Sequence, residues 1–180
     1  DSLTRTLKKF GDEKLINKFF EQLTSQDIDE LFQGAMFMTE QHAGSDVGSI
    51  DTIAENIDGQ WYLSGDKWFC SNPDADLAMV LARYDKKTKG TRGLSLFLLP
   101  KRLENGQHNN YEIIRLKDKL GGRSFASGEI RLNKAFAYIV GEKKEGFKQM
   151  TDMINMSRLS NGVRASGMMQ RCFQESLFIA

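Results

Sequence analysis

The chain has 180 residues, with 25 basic and 24 acidic side chains and a formal net charge of +1; that length builds one well-cored domain, or one domain with pieces of its neighbours, and the charge balance demands no polyanionic partner. No apolar run reaches the ~20 residues of a membrane-spanning helix, and the first residues lack a signal-peptide core. Cys70 and Cys172, with only two histidines beside them, make neither a disulfide framework nor a zinc site, so a cytoplasmic setting without a metal is expected.

From Asp1 to about Gly34 the pattern is helical. Leu15, Ile16, Phe19, Phe20 and Leu23 recur at helical spacing, and Ser25 to Phe32 reads as a second short helix with Asp27, Asp29 and Glu30 near its start. These helices are too short to bury one another unaided. From Ala35 to Val140 the pattern is β. Thr52 to Ile57 meets the hairpin turn Asp58-Gly59 and returns as Gln60 to Ser64. Leu77 to Arg83, Leu94 to Leu99, Tyr111 to Leu116, Gly128 to Leu132 and Phe136 to Val140 follow. Strands without alternating helices predict an antiparallel barrel or double sheet and argue against a parallel doubly wound sheet. From about Glu145 a proline-free stretch carries Met150, Met153, Leu159, Val163, Met169 and Phe173 as an apolar stripe, the opening helix of a bundle. The fold class is thus mainly β with flanking α, divided into 1–34, 35–144 and 145–180. The start at Asp1 and the apolar end Leu177 to Ala180 are unlike natural termini, and a fragment is expected.

Three clusters could carry chemistry. In the first, Met36-Phe37-Met38-Thr39-Glu40 gives way to Gly44-Ser45-Asp46. Such a loop can offer N–H groups and hydroxyls to a phosphate or a heterocycle edge, or it is a strand end with an Asx-type turn. In the second, Gly65-Asp66-Lys67-Trp68-Phe69-Cys70-Ser71-Asn72, aromatics that could flank a flat cofactor precede small polar groups. A core strand entering a turn at Asn72-Pro73 fits equally. The third, Leu116 to Ser124 with Gly121-Gly122-Arg123, has the composition of a phosphate loop without the spacing of the known nucleotide-binding fingerprints; a basic turn is its plain alternative. His42, His108 and the run Lys86-Lys87-Thr88-Lys89 read as solvated, and Cys70 as a small core residue.

Taken together and in order, these clusters resemble the acyl-CoA dehydrogenase family. Thr39-Glu40 with Gly44-Ser45-Asp46 looks like its first signature, and Gly65-x-Lys67 running to Ser71 like its second. Leu120-Gly121 with Arg123-Ser124, then Gly141, Gly146-Phe147, Met156-Ser157-Arg158 and Gly167, fit the passage into a helical domain. Lys67-Trp68-Phe69, Arg115 to Gly121 and Ala126-Ser127 are most similar to the branch named for the adaptive response to alkylation damage, itself similar to isovaleryl-CoA dehydrogenases.

The resemblance implies an antiparallel middle domain with FAD at the seam to the following helices. It places Thr39 and Ser71 at the flavin edge, Met36 and Met38 along flavin and acyl pocket, Phe69 where the family often has Trp, and Ser45 at the FAD pyrophosphate or CoA chain, so that Met36 and Ser45 also touch substrate. Pro73 after Asn72 and Gln41 after Glu40 depart from the family pattern. The implied reaction, in fatty-acid metabolism, is α,β-dehydrogenation of an acyl-CoA thioester, with a carboxylate as base and flavin N5 as hydride acceptor. Ser157 stands where one subgroup has Glu, and Glu40, Asp46 and Asp118 read as loop-holding residues, so no catalytic residue is expected within the chain and weak FAD binding by it alone. A homotetramer is implied for the whole protein, and the electron acceptor is left open. Two other readings remain: a DNA-associated flavoprotein with little or no dehydrogenase activity, implied by the resemblance to the alkylation-response branch, whose bacterial namesake also binds DNA, and a flavin-free ligand-binding barrel.

Overall fold

The computed structural model describes residues 2–179. Helices α1 (Ser2–Phe10) and α2 (Glu13–Thr24) precede β1 (Gly34–Phe37), β2 (Ile53–Ile57), β3 (Gln60–Ser71), β4 (Leu77–Arg83), β5 (Leu94–Pro100), β6 (Tyr111–Leu116) and β7 (Ser127–Val140), and α3 (Gly146–Ile179) ends the fold. Asp12 caps α2 by accepting the Leu15 amide at 2.8 Å, and Glu13 lies in its first turn, where the helix dipole favours negative charge. Leu15, Phe19 and Leu23, spaced one turn apart, form its buried stripe.

The seven strands make one sheet that closes on itself, β3–β7–β5–β4, with β1 and β2 bridging β4 back to β3 and β6 added outside β7. The expected barrel is present, with two differences in pairing. β1 runs parallel to β4 from Gly34↔Leu77 to Phe37↔Val80, and β2 meets β4 in parallel at Ile53↔Arg83. The other ladders are antiparallel. Among the described residues only a single 3-10 turn, Val47–Ser49, and no α-helix lies between β1 and β4, so these parallel contacts are not a doubly wound sheet.

β4 and β5 are nearly continuous apolar runs because both faces are covered. Leu77, Met79 and Leu81 of β4, with Leu94, Leu96 and Leu98 of β5, face outward onto Leu3, Leu7, Phe19, Met150 and Met153 of the helices. The alternate residues Ala78, Val80, Ala82, Phe97 and Leu99 fill the barrel with Leu63, Ile130 and Leu132. Asp58 and Gly59 both adopt positive φ, 51° and 85°, the pair of left-handed residues a two-residue hairpin of β2 and β3 requires.

Other expectations are corrected. Ser25 to Phe32 is not a helix. The Asp27 carbonyl accepts the Glu30 and Leu31 amides, its carboxylate accepts the Asp29 amide, and Ser25 Oγ accepts the Asp27 amide. Ser and Asp side chains thus satisfy the local backbone, and Ile28, 85% exposed, supplies no face to bury. β3 does not stop at Ser64 but runs through the second cluster to Ser71, and the two expected strands after Gly128 are one strand, β7, bent where Lys134 takes φ 52°. α1 was not expected. Its Leu3 and Leu7 are buried, and its Arg5 and Lys9 pair with Asp152 of α3 at 2.7 and 3.0 Å. Among the described residues, no helix is long and apolar enough to cross a membrane.

Candidate functional site

Between β3 and β4 the barrel wall lacks a continuous strand. β1 fills one end of the gap and β2 the other, and residues 38–52 pass between them as an irregular loop. The first cluster lies in that loop and the second on the strand facing it. A register shift in the β3–β7 ladder between Lys67 and Cys70 breaks the alternation of β3. Lys67 and Cys70 both point inward and are buried, while Phe69 and Ser71 face outward.

The outward groups meet a cavity of about 360 Å³. Met36, Met38 and Thr39 line one side, Phe69, Ser71 and Asn72 another, and Ser2, Leu3, Met153 and Ser157 of the helices the third. Phe69 is 56% exposed, and its ring is held edge to face by Trp68 at 6.3 Å, with the Lys117 ammonium 3.2 Å from the Trp68 centroid and 4.6 Å from that of Phe69. Ser157 Oγ lies 3.2 Å from Ser2 Oγ and donates to the Met153 carbonyl. The hydroxyls of Thr39 and Ser71 have no side-chain hydrogen bond among the described residues.

Five of the six residues expected at a cofactor therefore share one cavity: Met36, Met38, Thr39, Phe69 and Ser71. Ser45 lies outside its lining, exposed on the loop. The third cluster does not reach the lining either. Ser2 and Leu3 were missed, since two leucines one turn apart are too faint a signal to announce α1.

Beneath the site lies a buried ion pair. Lys67 Nζ donates to Glu40 Oε1 at 2.8 Å, to the Leu81 carbonyl at 2.8 Å and to the Met38 carbonyl at 3.2 Å. Burial pushes the Lys67 ammonium below its ordinary range and the Glu40 carboxylate pulls it back up in part; three acceptors around one nitrogen, one of them a carboxylate, suit the protonated form with its three N–H donors. Glu40, 3% exposed, accepts from the Asp51 and Thr52 amides at 2.7 and 3.0 Å and from the Thr52 hydroxyl. Burial pushes its carboxyl up, but the Lys67 charge and the hydrogen bonds from Lys67, Thr52 and the Asp51 amide outweigh that and hold it below the usual range. Burial raises the neighbouring Cys70 thiol to about 12, which makes it an inert core residue. No Asp or Glu lines the cavity among the described residues. A carboxylate fully engaged in a buried pair, as Glu40 is, has no free edge to offer a substrate proton.

A larger groove of about 750 Å³ lies around Trp61, Tyr62, Phe136 and Tyr138, where Lys18 pairs with Glu104 and donates to the Tyr138 hydroxyl at 2.9 Å. It holds none of the sequence-selected polar groups, and its central cation is already engaged, so the smaller cavity is the better candidate.

The chain belongs to the acyl-CoA dehydrogenase family: residues 35–135 match the family model described as acyl-CoA dehydrogenase, middle domain. It is 39% identical over 172 residues to acyl-CoA dehydrogenase family member 11 of Caenorhabditis elegans, covering 92% of this chain and 28% of that protein. It is 41% identical over 146 residues to the putative acyl-CoA dehydrogenase AidB of Escherichia coli K12, covering 81% of this chain and 26% of that protein. Among solved structures, C. elegans ACDH-11 in complex with C11-CoA superposes with a TM-score of 0.86 at 38% identity, over 95% of this chain and 30% of that one. The chain thus spans between a quarter and a third of the length of these relatives.

Proposed function

We propose that the full-length polypeptide carrying this chain is an FAD-dependent acyl-CoA dehydrogenase, and that residues 35–144 form its middle domain between an N-terminal helical portion ending near 34 and a helical portion beginning near 145. The observation that carries this is the convergence of Met36, Met38, Thr39, Phe69 and Ser71 on one cavity with two hydroxyls free to bond a ligand. An exposed aromatic ring, thioethers and two polar donors suit a flat heterocycle with a hydrogen-bonding edge. FAD, when bound, supplies the hydride acceptor. Thr39 and Ser71 hold the ring edge, Phe69 covers a face, Met36 and Met38 exclude water along ring and acyl chain, and exposed Ser45 reaches the pyrophosphate or the CoA arm. The base that takes the α-proton comes from outside this chain, because Ser157 at the cavity has no carboxylate and Glu40 is committed elsewhere. An acyl-CoA substrate is in keeping with the C11-CoA complex of the worm protein. A cytoplasmic homotetramer active in fatty-acid metabolism completes the reading.

The full-length polypeptide, purified and assayed with acyl-CoAs of graded length against an artificial electron acceptor, tests it. A flavin absorbance spectrum and turnover with at least one acyl-CoA are expected. A colourless protein that FAD does not reconstitute would overturn the assignment. A yellow protein inert towards every acyl-CoA would favour the DNA-associated alternative drawn from the likeness to AidB, which the near-neutral charge of this chain does little to recommend.

A further inference from the structure

Neither Lys67 nor Glu40 lines the cavity, yet the pair sits where the barrel wall is incomplete. β4 is paired to β1 only as far as Val80 and to β2 only at Arg83, so the Leu81 carbonyl faces the gap with no strand opposite. The Met38 carbonyl, one residue beyond the end of β1, faces the same gap. Lys67 bonds both, at 2.8 and 3.2 Å, and holds the Glu40 carboxylate with its third proton. Its side chain, fully buried, thus replaces the ladder that a missing strand would have supplied.

Glu40 carries the connection across the loop to the Asp51 and Thr52 amides. On the far side, Thr52 lies against Gly65, where φ is 146° and a Cβ would come within 2.7 Å of the Thr52 Cα. Gly65 permits β3 to approach the clamped loop, and Lys67, two residues on, reaches into it. Thr39 stands between the two points Lys67 grips, Met38 and Glu40, and its own carbonyl accepts the Trp68 amide at 2.8 Å. The strand that grips Thr39 also presents Phe69 and Ser71 to the cavity.

We infer that Lys67 and Glu40 are positioning residues that latch the Thr39 loop to β3 and so set the spacing between the two walls of the cofactor cavity. In this chain Glu40 and Lys67 bind each other, and the neighbouring Thr39, Phe69 and Ser71 are left to face the cavity. The part of this inference that concerns FAD rests on the function proposed above; the part that concerns the loop does not.

Amide hydrogen exchange on the flavin-free full-length polypeptide, together with FAD titration, separates the two. The variants are Glu40→Gln, Lys67→Met, their combination, and Thr52→Val, which removes only one hydroxyl from Glu40. In each folded variant the amides of Trp68, Asp51 and Thr52 are expected to exchange about tenfold faster or more, while those of the β4–β5 ladder keep their rates. FAD affinity is expected to fall by about tenfold in the double variant. Uniform acceleration that includes β4 and β5 would show a general core contribution and overturn the latch, as would unchanged exchange at the three amides. Local loosening with undiminished FAD affinity would overturn its role at the cavity. A wild-type protein that binds no FAD sinks the flavin reading alone, and the exchange comparison still decides the latch. Should Lys67→Met fail to fold, Glu40→Gln and Thr52→Val decide it through the same three amides.

Discussion

Two loops with the same kind of composition behave differently in this molecule. Residues 38–52 and residues 117–126 are both rich in glycine and small polar side chains, and each adjoins a strand end. The first is pinned by a buried cation reaching in from β3. The second is tied at its ends by the Lys117 amide on the Ser127 carbonyl and the Asn72 amide on the Ala126 carbonyl, and across itself by Lys119 Nζ on the Phe125 carbonyl, while the side chains of Leu120 and Phe125 are exposed. Its Arg123 donates to the Lys119 carbonyl and lies 3.6 Å from Asp118, with both side chains largely in water. Loop composition alone therefore does not announce a rigid site. What separates these two is where the charge of a neighbouring strand meets the loop: Glu129 of β7 pairs with Lys117 only where the second loop begins, at 2.6 Å, whereas Lys67 of β3 enters the first and pairs with Glu40 inside it, at 2.8 Å.

The largest expected effect comes from breaking that pairing. Lys67→Met keeps an unbranched stem but leaves Glu40 buried without its cation, a change of about 3–5 kcal/mol in unfolding free energy. Denaturant titration of the full-length polypeptide measures it. A loss below about 1 kcal/mol would mean that water or a rearranged loop satisfies Glu40, and that the first loop is held no better than the second. Gly65→Ala is expected to cost somewhat less, about 1–3 kcal/mol, because it forces both a positive φ and a contact with Thr52 that the backbone must yield to relieve.

The residues behind this contrast were only partly legible beforehand. β4 and β6 begin and end where periodicity places them, and the Asp58-Gly59 turn is where its dipeptide says. Strand existence is a local property that alternation and turn chemistry announce. The parallel contact of β1 with β4 is not local, since residues 38–76 intervene and neither strand carries a mark of its partner. The same holds for Glu40 and Lys67, which are 27 residues apart. Each was visible as part of a motif, and Glu40 could be set aside as a base, but nothing near either residue says that it is neutralised by the other. Met36, Met38, Thr39, Phe69 and Ser71 were selected by family likeness; their meeting at one cavity depends on the loop crossing the gap in the barrel, a consequence of closure that local pattern does not contain.

Acid sharpens the comparison at intermediate cost. The Glu40 carboxyl is held below its ordinary 4.5 in the folded protein. A carboxyl with a depressed folded value binds its proton more readily when unfolded, so its contribution to stability is fully present above the unfolded value and is lost as pH falls through the folded one. Midpoints of denaturation measured from pH 7 to pH 3 are expected to decline most steeply below about 4.5. Glu40→Gln, though less stable at pH 7, is expected to decline less over the same range. Parallel slopes for the two proteins would show that the acid sensitivity arises elsewhere.

The smallest expected effect lies in the second loop. Arg123→Ala removes one hydrogen bond to the Lys119 carbonyl and an ion pair whose side chains are 71% and 94% exposed. Exposed pairs of this kind contribute little, because solvent screens the attraction and both side chains surrender entropy to hold one geometry. Unfolding free energy is expected to change by no more than about 0.5 kcal/mol. FAD affinity should stay within about twofold, since residues 117–126 do not line the cavity around Thr39 and Ser71. Titrating FAD into Arg123→Ala beside the wild type therefore probes the comparison from its weaker side. Affinity lowered by tenfold or more, at unchanged stability, would mean that the Gly121-Gly122-Arg123-Ser124 turn binds an anionic part of the ligand after all. The difference between the loops would then be one of timing, one built before the ligand arrives and the other ordered by it.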